Sequence, residues 1–282
     1  MKKVLILALA LILLLGIAAR GTFGFFSDPE TSAGNTFTAW VEVCAKFNVS
    51  DDAGSINMIF KYDASGGFVD SFDLSEDSGS PVGVATVVGG CIYVIDHPDH
   101  RVYQYTCSGT CVDVSKDFLK LDGTSSIGRS QGLAIYDTQM WVLDKNIYHY
   151  PLDAAFPDDG SSLPATIEIA LDKDNKGAAG LAIDSSSLYV VDYSTSAGVT
   201  RFYRYLKADG SVTVSKVLND MASNPLQSPV GAMFDGTSLW VVDRDTNKVY
   251  EYVIASLFPD GGSLNAASEF PLDINNTDAS GV

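Results

Sequence analysis

The sequence is poor in positive charge. Its 282 residues hold 18 Lys and Arg against 35 Asp and Glu, a formal net charge of −17. No basic run exists beyond Lys2-Lys3. A phosphate backbone is held by clustered cations, so nucleic acid is excluded as a partner. Histidine is scarce, with three residues, and cysteine contributes four. There is no Gly-x-Ser-x-Gly elbow and no Gly-rich phosphate loop. That removes the two most legible signatures of serine hydrolysis and nucleotide binding. No stretch after residue 20 keeps a long helical period. Apolar residues nonetheless make up 46% of the chain, enough for a core and against general disorder.

Long hydrophobic runs are absent too, with one exception. Val4 to Ala19 ("VLILALALILLLGIAA") is unbroken and follows the Lys pair. It is short for a membrane span of about 20 residues and suits a signal h-region. The pattern predicts an export signal over residues 1–24, cut between Gly24 and Phe25, with a linker over residues 25–38. Membrane contact is then confined to the signal before cleavage; a retained anchor is the alternative. The stretch "GTFGFFSDPETSAGNTFTA" (21–39) resembles the signal region of proteins handled by SipW-type signal peptidases, a group that includes TasA-like matrix and camelysin-like surface proteins. The resemblance rests on Gly21-Thr22-Phe23, Phe26-Ser27-Asp28, Glu30-Thr31 and Gly34-Asn35-Thr36-Phe37-Thr38-Ala39. It implies a secreted or cell-surface location. It ends at Trp40-Val41-Glu42-Val43, where that group continues differently, so it does not imply a filament domain.

From residue 39 the chain repeats. "GVATVVGGCIYVID" (83–96), "GLAIYDTQMWVLD" (132–144), "GLAIDSSSLYVVD" (180–192) and "GAMFDGTSLWVVD" (231–243) share a leading Gly and a closing Asp, with glycines 49, 48 and 51 residues apart. "AWVEVCAKFNVSD" (39–51) is a worn first copy. Each unit reads as four strands. A Gly-led strand of small residues is followed by a dense apolar strand ending in Asp. The third strand alternates ("VYQY", "IYHY", "FYRY", "VYEY"), and a weaker fourth closes the unit. Four strands in about 48 residues predict an all-β fold, a β-propeller over residues 39–282. The units also resemble NHL-type repeats, in the Gly-led strand, the aromatic-Val-x-Asp end and stretches such as "DRDTNKVYEY" (243–252). A sixth unit begins at Gly281-Val282, fifty residues after Gly231. A propeller must close or leave raw edges. The restart therefore predicts a ring of six or more blades, incomplete at the C-terminus; a closed five-blade ring is the alternative.

Candidate chemistry is thin. Asp96, Asp144, Asp192 and Asp243, with Asp51 in the worn copy, form a repeated set of carboxylates. They can be read as a cation site at the channel mouth, for Ca²⁺ or another divalent ion, or as caps of their own turns. Repetition in every blade favours the caps, so no metal or other cofactor is expected. "DKDNKG" (172–177) and "DRDTNK" (243–248) approach calcium-loop spacing, but Lys176 stands at a ligand position in one and the other lacks the turn glycine. His97 and His100 lie in the turn "DHPDHR", and His149 occupies the polar slot of a third strand, which reads as surface. Hydrolytic propellers of the gluconolactonase type present acidic or amide side chains from inner strand ends. Here the residues before each anchor Gly are Val82, Gln131, Ala179, Val230 and Ser280, none acidic. Cys107 and Cys111 flank "SGT" and predict a hairpin disulfide; Cys44 and Cys91 either pair or stay free. The expected role is an exported surface or matrix scaffold that binds a protein or glycan, rather than an enzyme. The alternatives are a lactonase-like hydrolase or lyase with a channel cation, and a matrix filament subunit.

Overall fold

The first and last strands of the repeat belong to the same sheet. The computed structural model describes residues 45–52, 57–75, 77–87, 90–97, 99–194, 198–257 and 261–282. The signal 1–24 with its Gly24–Phe25 cut, the segment 25–38 and Cys44 lie outside the described residues. The described residues all fall in one unit, 41–282. They form five antiparallel four-stranded blades. Blade 2 runs from the axis outward as Pro81–Val87, Cys91–Asp96, Val102–Thr106 and Cys111–Val114. Blade 3 is Gly132–Tyr136, Gln139–Leu143, Asn146–Pro151 and Ile167–Ala170. Blade 4 is Ala178–Ile183, Ser187–Ser194, Val199–Leu206 and Val212–Asn219. Blade 5 is Pro229–Phe234, Ser238–Asp243, Lys248–Val253 and Ser268–Pro271. Blade 1 contributes Phe47–Asp51, Met58–Tyr62 and Phe68–Asp73 in sequence. Its innermost strand is Ala279–Gly281, paired as Ser50↔Gly281 and Asp51↔Ala279.

This corrects the expectation of six or more blades. The residues read as a restart are the missing inner strand of blade 1, and the ring closes on five. The anchor glycines show why. A Cβ placed on Gly83 would lie 2.8 Å from Leu133 N and 2.9 Å from Gly132 Cα. On Gly132 it would meet Leu181 N at 3.0 Å, on Gly180 Ala232 N at 2.8 Å, and on Gly231 Val282 N at 2.6 Å. On Gly281 it would meet Gly83 Cα at 2.7 Å, which completes the circuit. Each inner strand leans backbone-to-backbone on the next, and only a residue without Cβ permits that approach.

The core lies between blades rather than within them. One buried cluster joins Phe47, Val49 and Tyr62 of blade 1 to Trp240, Val242 and Val249 of blade 5, with Ala279 and Val282. Equivalent clusters join blades 1 and 2, 2 and 3, 3 and 4, and 4 and 5. A strand sandwiched between two such clusters is apolar on both faces, which is why the second strands read as dense runs; Ser238–Asp243 is buried throughout. The last Tyr of each third strand staples its blade to the preceding one. The Tyr252 hydroxyl donates to Asn219 O (2.8 Å) and that of Tyr150 to Leu119 O (2.9 Å). The hydroxyls of Tyr62, Tyr105 and Tyr205 accept from the N–H of Asp273, Ser75 and Asp172. The Tyr62 staple again crosses from blade 1 to blade 5.

Two features departed from the sequence reading. The long connections between third and fourth strands in blades 3 and 5 each add a short strand, Ser162–Pro164 and Ser263–Asn265. The first pairs in parallel with Asp117–Leu119 as a separate two-stranded sheet, and the second pairs in parallel with the end of Val212–Asn219, covering the outer edge of blade 4. The Cys107–Cys111 disulfide does not form. The strand register sets Cys111 opposite Tyr105, and the turn closes at Thr106 N–H to Thr110 O (2.9 Å), so Cys107 lies inside the turn. Cys111 is an exposed free thiol, and Cys107 is buried and disulfide-bonded elsewhere. Cys91 is also a free thiol, so it does not pair with Cys44.

Candidate functional site

The repeated aspartates end the second strands and are all buried. Asp96 and Asp243 cap their own turns as expected, through the N–H groups of Asp99 (3.2 Å) and Thr246 (3.0 Å), and all five do more. Each reaches sideways to the lead-in of its own blade's inner strand. Asp243 Oδ2 accepts the N–H of Gln227 (2.7 Å) and Ser228 (2.9 Å), and its Oδ1 accepts Thr246 N–H at 3.0 Å. Asp144 accepts from Gly128 (2.8 Å) and Arg129 (3.1 Å), Asp96 from Ser80 (2.7 Å), and Asp192 from Gly177 (2.7 Å). Asp51 accepts from Asp278 N–H at 2.9 Å, across the ring closure. Burial raises the Asp96 and Asp192 carboxyls above the usual carboxylate range, and the N–H donors offset only part of it. Each turns at least one carboxylate oxygen to backbone donors, which is the chemistry of a latch. Among the described residues no three His, Cys, Asp or Glu side chains converge as a metal centre would require. Asp172 likewise accepts the N–H of Asp174, as an ordinary Asx turn does. Replacing Asp243→Asn swaps one acceptor for a donor against those N–H groups. It is expected to cost about 2 kcal/mol, read as a lower urea midpoint, whereas EDTA should leave the wild-type midpoint unmoved.

Because the latch sits where inner strands begin, the residues beside it gather at one end of the axis. Val82, Gln131, Ala179, Val230 and Ser280, the five residues before the anchor glycines, line a cavity of about 250 Å³ there. Around them stand Asp52, His97 and Arg244, each next in sequence to a latch aspartate, and Arg129 and Asp278 from two lead-ins. Arg244 is paired with Asp278 (3.3 Å) and with Ser228 Oγ (3.3 Å). Asp52 accepts from Ser80 Oγ at 2.8 Å. Burial pushes its carboxyl above the usual range, helped by the Asp278 and Asp51 charges and opposed by the Ser80 hydroxyl and His97. Ser130, 1% exposed, also lines the cavity, and its hydroxyl has no hydrogen-bond partner among the described residues.

Sequence reasoning named the five pre-glycine residues and missed the charged ring about them. The signal was available: Arg129 and Arg244 are two of the six arginines in a chain of net charge −17. His97 reaches the cavity, but Asp96 is spent on its latch, so the pair does not build a metal centre. His149 is not on the open surface as expected. It is half-buried, with its ring 4.7 Å from that of Trp141 and Nδ1 2.5 Å from Thr166 Oγ1, and burial, then Lys207, lowers its basicity. Asn48, of the sequon Asn48-Val49-Ser50, is buried with its amide on Thr86 Oγ1 (2.8 Å) and cannot be modified in the folded chain.

No protein-family model matches this sequence, and no curated protein sequence is similar to it. Solved structures do resemble the fold. The chain is similar to one in the crystal structure of a nidogen/laminin complex, with a TM-score of 0.52 and 12% identity over 83% of this chain and 96% of that one. It is more distantly similar to glutaminyl cyclase from Myxococcus xanthus (TM-score 0.48, 11% identity, 66% and 68% covered). Virginiamycin B lyase from Staphylococcus aureus gives a TM-score of 0.43 at 16% identity, with 82% and 67% covered. At these identities the likeness concerns the fold alone: the chain is a five-bladed β-propeller.

Proposed function

We propose that this chain is an exported propeller that acts by binding, holding a cell-surface or matrix partner, protein or glycan, over the axial cavity. The observation that carries this reading is the cavity itself. It is concave, rimmed by opposite charges and floored by Val82, Ala179 and Val230 with the polar Gln131 and Ser280, which is the make-up of a recognition site. The repeated carboxylates, which would be the obvious catalytic set, are committed to backbone donors. The export signal supports a place outside the cell. A chain of this fold in the nidogen/laminin complex is consistent with a propeller used for holding a protein. The test is capture of cell-wall glycans and extracellular matrix proteins by the full chain. Capture is expected, and it should weaken at least tenfold in Arg129→Gln. No capture by wild type, together with turnover of a small substrate, overturns the reading.

A further inference from the structure

We propose that the axial cavity takes a small peptide-like zwitterion, with its cationic end at Asp52 and its carboxylate at Arg129. This goes beyond the reading above and shares with it only the cavity as the place of binding. Ring order supplies the polarity. Asp52 belongs to blade 1, and Asp278 leads from blade 5 into the inner strand of blade 1. Arg129 leads into blade 3. In a ring of five, blade 3 stands across the axis from the seam between blades 5 and 1. Arg129 therefore stands across the axis from Asp52, while Asp278 beside Asp52 is already paired with Arg244.

The charges are unevenly used. Arg244 spends its guanidinium on Asp278 and Ser228, but Arg129 has no ion-pair partner among the described residues. Beside Arg129, the Ser130 hydroxyl is buried without a partner, so a second donor for a carboxylate stands next to the cation. Asp52 holds one hydroxyl donor and lies near His97 and two further carboxylates, with no ion pair of its own among the described residues, a setting that a ligand ammonium would relieve. A simple anion would suit Arg129 and leave Asp52 unpaired; a simple cation would meet the reverse. A ligand bearing both charges at opposite ends satisfies both. Its size follows from the cavity of about 250 Å³, just below the roughly 300–1,000 Å³ of drug-sized sites. Val82, Ala179 and Val230 leave room between the poles for small side chains.

The experiment is calorimetric titration of the full chain with L-alanyl-L-alanine, its N-acetyl form and its C-terminal amide. The free dipeptide is expected to bind, and blocking either end should weaken it at least tenfold. Arg129→Gln should weaken the free dipeptide tenfold and leave the amide unchanged; Asp52→Asn should do the same with the N-acetyl form as the insensitive ligand. Equal binding of free and blocked peptides, or no binding of the free dipeptide at 10 mM, roughly ten-thousandfold above a micromolar site, overturns the proposal. The blocked peptides act on wild type, so a variant that misfolds does not rescue it. If partner capture proceeds while the dipeptide fails, this inference falls and the reading above stands; the converse result separates them the other way.

Discussion

Deleting Ala279–Val282 is expected to lower stability by about 4 kcal/mol or more, a large share of what a domain has. These are the inner strand of blade 1, Ala279–Gly281, and the Val282 that follows it. Without them Ser50 and Asp51 lose their ladder partners, and Phe47–Asp51 becomes a raw inner edge. Ala279 and Val282 leave the cluster that packs Phe47 and Val49 against Trp240 and Val242. Asp278 loses its register, and with it the 2.9 Å bond to Asp51 and the 3.1 Å bond that Asp52 N–H donates to its carbonyl. Gly231 and Gly83 are left facing solvent where they faced Gly281 and Val282. Removing Val282 alone gives the scale, because it uncovers one side chain and should cost about 1–2 kcal/mol. Urea unfolding followed by tryptophan fluorescence reads both. Trp240 lies in the affected cluster, so its signal reports the opening directly. An unchanged midpoint in the four-residue deletion would show that the ring is not held at this seam.

What could be read from the sequence is what repeats locally. The anchor glycines, the closing aspartates and the alternating third strands announce four-stranded units, because each feature recurs within one unit. Closure was not legible, since the pair that makes it, Asp51 with Asp278, is 227 residues apart and carries no local mark. A restarting unit and a completing strand have the same sequence; only the geometry of Gly281 on Gly83 tells them apart. The aspartates were legible as structural but not in mechanism, because their donors precede them by 15 or 16 residues in blades 2 to 5. The cysteine spacing suggested a symmetrical hairpin, and a register shift between Gln104 and Tyr105 defeated it. The cavity escaped for a related reason. Its five floor residues occupy one repeat position, but its charges come from two positions in only some blades.

The ring of glycines makes a second large effect predictable, in Gly231→Ala. The substitution should not suffer from backbone conformation, because Gly231 is not among the residues with positive φ. In an ordinary strand the exchange would gain about 0.5–1 kcal/mol. Here the new Cβ would lie 2.6 Å from Val282 N and 2.9 Å from both Gly281 C and Cα. Those neighbours are main chain and cannot rotate aside, so two inner strands must part. The expected cost is about 3 kcal/mol. Gly180→Ala meets Ala232 N and Gly231 C at 2.8 Å and should behave alike. Because both push on the strand Pro229–Phe234 from opposite sides, the double variant should depart from additivity by about 1 kcal/mol. Gly90→Ala is the control: no atom lies within 4 Å of its Cβ and its φ is ordinary, so its urea midpoint should match wild type. If Gly231→Ala is as stable as Gly90→Ala, the inner strands are not in backbone contact. The close packing that floors the axial cavity would then have to be abandoned.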